Sequence, residues 1–134
     1  MKPEIGEMNL WFAWLWILLG FLSGMMLGMF FHRDNWLGGY GSLKRRMYRL
    51  GHISFFGLGA VNLFFWLTVH HLNVPAPLGS VASWAFMVGG VAMPLCCAVM
   101  ANCPRARLIF FVPVASLILG GALTLFLTST QHTP

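Results

Sequence analysis

The stretch NLWFAWLWILLGFLSGMMLGMFF, residues 9–31, contains no Lys, Arg, Asp or Glu. Helical at 1.5 Å rise per residue, it reaches across the hydrocarbon layer of a bilayer, about 30 Å thick. Three more uncharged runs follow: LGHISFFGLGAVNLFFWLTVH at 50–70, VASWAFMVGGVAMPLCCAVMAN at 81–102 and LIFFVPVASLILGGALTLFLT at 108–128. They take up most of the 134 residues. The predicted fold class is an all-α membrane protein, a compact bundle of four transmembrane helices with short loops. Residues 1–134 then form a single domain, with an interfacial link over 32–49.

Only 8% of the chain is charged and 58% is hydrophobic, the balance of an integral membrane protein rather than a soluble one. The segments between the runs are too short to fold a soluble catalytic module. The first run is too long for a signal peptide and follows the acidic Glu4 and Glu7, so it is expected to stay as a transmembrane helix. The net charge of +5 implies no nucleic acid. Basic residues beside membrane spans set topology and meet anionic phospholipid headgroups.

Those basic residues fall in two places. Segment 32–49 holds Arg33, Lys44, Arg45, Arg46 and Arg49 against Asp34, and the link after the third run holds Arg105 and Arg107. Neither 71–80 nor the tail from Gln131 has a Lys or Arg, and Lys2 is offset by Glu4 and Glu7. The positive-inside rule therefore puts both termini on the outer, periplasmic side of a bacterial inner membrane. Trp11, Trp14, Trp66 and Trp84 fall at the outer interface in this frame, with Trp36 at the inner one.

Small residues mark the packing faces. Gly20, Gly24 and Gly28 repeat at a spacing of four, which lets another backbone approach closely. The stripe reads first as a packing face within the chain, with docking on another subunit and a cofactor lying against it as the alternatives; it is also the preferred docking face if the chain joins a larger complex. Asn62 is the one strongly polar side chain at mid-span and is expected to bond across helices. Pro94 and Pro113 free the carbonyls of Gly90 and Ile109, which neighbours have to satisfy.

Histidine and sulfur carry the remaining chemistry. His52 sits at the inner start of the second helix, and His32 ends the first at a similar level. With Gly28 and Gly51 beside them, this pair is the candidate for haem b ligation or a quinone pocket. His70, five turns from His52, and His71 read as a wetted helix end. Cys96, Cys97 and Met100 share the inner end of the third helix and are the candidate soft-metal set for Cu(I) or Hg(II). In its cysteine pair alone the chain resembles bacterial mercury importers, which place cysteines along an entry route from outside. Here all three cysteines, Cys103 included, lie toward the inner end. Three cysteines in one cluster form no disulfide framework.

No carboxylate lies inside a run, which speaks against proton- or cation-coupled transport and against acid–base catalysis. The leading expectation is thus a non-catalytic accessory or assembly subunit of a larger energy-converting membrane complex, respiratory or photosynthetic. No cofactor is required for that role, although haem b, lipid or pigment could fill a helix seam. The alternatives are a redox subunit built on His52 and a soft-metal carrier built on the cysteines.

Overall fold

The computed structural model describes residues 6–72 and 74–131, so the charges at Lys2 and Glu4 lie outside the described residues. All regular structure among them is helical: α1 (Glu7–Phe30), α2 (Leu43–His71), α3 (Ala76–Asn102) and α4 (Phe111–Gln131). Short 3-10 segments at Trp36–Gly38 and Pro104–Phe110 lie in the links before α2 and α4. All four α-helices are long and apolar enough to cross a membrane.

The second helix begins seven residues before the apolar run that announced it. Lys, Arg, Met and Leu are strong helix formers, so charge ends a hydropathy run without ending a helix. Ser42 sets the start by accepting from the Arg45 backbone N–H at 3.1 Å. The interfacial link accordingly shrinks, and Lys44 to Arg49 form the first turns of α2. The link reverses at Leu37, Gly38 and Gly39, all with positive φ. At φ 92°, ψ 169°, Gly39 occupies backbone space essentially reserved for glycine.

Arg45 ties this reversal to the end of α1. Only 2% exposed, it donates from Nη2 to the Phe31 carbonyl at 2.9 Å, with its guanidinium carbon 4.7 Å from the Phe31 ring centroid and 5.0 Å from that of Tyr40. Its Nε has no hydrogen-bond partner among the described residues.

The helices pack antiparallel in chain order: α1 along α2, α2 along α3, α3 along α4. α1 makes no extensive contact with α4. Each helix packs mainly on its neighbours in the chain, and α3 is the most enclosed of the four. Of each helix's most apolar window, 44% is buried for α3 against 11% for α1. Glycines set the close approaches. A Cβ on Gly59 would come within 3.1 Å of the Ala13 carbonyl oxygen, and one on Gly89 within 2.6 Å of Leu117.

Side chains from α1 reach α3 in the half where α1 starts, whose end is here called the upper end. Asn9 donates from Nδ2 to Asn62 Oδ1 of α2 at 2.7 Å and accepts from the Ser83 hydroxyl of α3. Both Asn9 and Asn62 are fully buried, and Asn62 also donates to the Leu58 carbonyl. This network links three helices where no water competes, each bond being worth about 1 kcal/mol. Lower down, the Trp16 indole donates to the Gly90 carbonyl at 2.9 Å, the acceptor freed by Pro94. The Ile109 carbonyl before Pro113 is met by the Cys96 thiol at 3.4 Å.

Candidate functional site

Below Trp16 the gap between α1 and α3 is not closed, and α2 forms its back wall. The resulting cavity measures about 420 Å³, within the range of small-molecule sites. Trp16 roofs it, stacked on Phe12 at 4.0 Å and edge-on to Phe55 at 5.8 Å. Met26 and Leu27 line it from α1, Met47 from α2, and Leu95 and Pro94 from α3. Amid this apolar lining stand Ser23, Tyr48, His52 and Cys97.

His52 is held by its neighbours. Its Nδ1 lies 3.0 Å from Ser23 Oγ, and its ring stands edge-on to Phe56 at 5.4 Å. Gly24 makes room for it, since a Cβ there would come within 2.7 Å of His52 Cε1. His52 Nε2 has no hydrogen-bond partner among the described residues, and it is not sealed from open space. One turn earlier on the same face, Tyr48 Oη accepts from Asn102 Nδ2 at 3.4 Å.

The other candidates fall as follows. His32 lies beyond the end of α1 in the exposed link and does not line the cavity. Cys97 borders the cavity and packs on Gly51, whereas Cys96 is turned toward Ile109 on the link before α4. Met100 is half-buried and outside the cavity lining. His70 stacks on Trp66 at 5.3 Å, and His71 Nδ1 meets the Leu67 carbonyl at 3.0 Å. Within the glycine stripe, Gly20 faces Phe56 and Gly24 faces His52, both in this chain, while Gly28 meets open space. Asn62 belongs to the upper network, away from the cavity.

Sequence reading missed Ser23, Tyr48 and Trp16. For Tyr48 a signal exists: it precedes His52 by four residues, the spacing that shares a helix face. Ser23 adjoins Gly24, where close approach lets a partner's polar group reach a hydroxyl. Nothing in the local sequence marks Trp16, because the Gly90 carbonyl that it meets lies on another helix. Compared with known proteins, the chain matches no family model, no curated relative and no solved structure.

Proposed function

We propose that this chain is a small subunit of a larger energy-converting membrane assembly, one that holds a lipid-soluble redox cofactor of the quinone class at His52. The supporting observation is the cavity of about 420 Å³ between α1, α2 and α3, apolar except for a few polar side chains. Small-molecule sites have this character: an apolar enclosure with few placed polar atoms that fix orientation. In this reading the chain itself is not the catalyst, since none of its four uncharged runs contains a carboxylate. It lies in a bacterial inner membrane with both termini outside, so the cavity opens in the cytoplasmic half. Gly20 and Gly24 are occupied within the chain, which leaves the outward faces of α1 and α4 for partner subunits and lipid.

Gentle detergent extraction followed by a native gel, mass spectrometry and organic extraction tests both halves of this reading. Co-migrating redox subunits and a stoichiometric quinone are the expected result. Migration alone with no extractable cofactor refutes it.

A further inference from the structure

The hydrogen bonds around His52 decide which ligand atom it can meet. Ser23 Oγ lies 3.0 Å from the Gly20 carbonyl, which only accepts, so the hydroxyl hydrogen points there. With that hydrogen so placed, Oγ is left to accept from His52, which calls for the tautomer with the imidazole hydrogen on Nδ1. In the uncharged ring the other nitrogen, Nε2, is then a bare acceptor. A quinone carbonyl, also only an acceptor, makes no hydrogen bond to it. A hydroxyl does.

Tyr48 complements this. Its oxygen accepts from Asn102, leaving the phenolic hydrogen free to donate to a ligand oxygen. Both side chains line the same apolar cavity, a turn apart on α2. We infer that the cavity selects the reduced, dihydroxy form of a quinone-class ligand, with a quinol hydroxyl donating to His52 Nε2 and Ser23 acting as the positioning residue. The inference rests on the cavity reading above and names the redox state that it holds.

The test is calorimetric titration of the purified full-length chain in lipid nanodiscs under argon, comparing a decyl-substituted hydroquinone with its dimethyl ether. The ether keeps the size and tail but has no hydroxyl to donate. The hydroquinone should bind about tenfold tighter, the effect of one good hydrogen bond in a dry site. His52→Phe keeps the ring packing and should bring the hydroquinone down to the ether's affinity without moving the ether. Ser23→Ala should erode the preference and Ser23→Thr restore it. Equal binding of the two compounds by the wild type overturns the inference, as does a preference that survives His52→Phe. A Soret band in the purified protein that His52→Phe abolishes also overturns it, with haem on Nε2 instead. If neither compound binds a chain that still unfolds cooperatively, the cavity reading fails along with the inference.

Discussion

A methyl group added at Gly24 would be driven into His52, whereas one added at Gly28 meets nothing within 4 Å. Gly24→Ala should therefore lower stability by about 1–3 kcal/mol, as overpacking does. Gly28→Ala should be neutral or stabilising by up to about 1 kcal/mol, the helix-propensity gain over glycine. Thermal unfolding of the two variants in one detergent reads the contrast, and equal losses would place the close contact elsewhere. These two glycines also mark what could be read in advance. Spacing of four identified the stripe, because a helix returns to the same face every 3.6 residues. It gave no sign that α2 covers only part of that stripe, since helices apolar around most of their circumference leave the orientation open. The same ambiguity hid Ser23. A serine that bonds its own helix at Gly20 reads as self-satisfied, and its second role needs His52 of another helix at the right height.

At the level of a helix, Trp16 and Pro94 act as a pair across the roof of the cavity. Trp16→Phe keeps the ring but orphans the Gly90 carbonyl, at about 1–3 kcal/mol. Pro94→Ala restores a backbone N–H four residues after Gly90, giving that carbonyl an intrahelical donor. The indole bond then matters less, so Trp16→Phe should cost clearly less in the Pro94→Ala background. A double-mutant cycle on unfolding free energies measures this coupling, and strict additivity would count against the bond. Prolines announce the freed carbonyls in the sequence, but not the donors that answer them, which come from other elements. The start of α2 was misplaced for a related reason: hydropathy locates the part of a helix that belongs in lipid, and Arg45 continues the helix beyond that part. Its clamp on Phe31 depends on a planar fork lying over aromatic rings, so Arg45→Lys should lower the unfolding temperature nearly as much as Arg45→Ala. Full rescue by lysine would reduce the clamp to charge alone.

Over the whole molecule the basic residues gather at one end, although they come from two separate links. The antiparallel order of the helices brings the link before α2 and the 3-10 segment before α4 to the same level, below the cavity. Arg33, Lys44, Arg46 and Arg49 thus share an end with Arg105 and Arg107, and the opposite end has exposed Trp11, Trp14 and Trp84. Cationic side chains close to spans are retained on the cytoplasmic face, and indoles accept either interface, so the charges decide the orientation. Alkaline phosphatase fused after Pro134 should be active, and the same enzyme fused at Gly41 inactive, when the chain is expressed in a bacterium. The reverse pattern would put the basic end outside. It would also turn the cavity, and with it His52 and Tyr48, toward the periplasm, so a ligand's head would meet water on the other side of the membrane. Because Tyr48 and His52 sit on the basic half of α2, orientation and ligand access stand or fall on the same measurement.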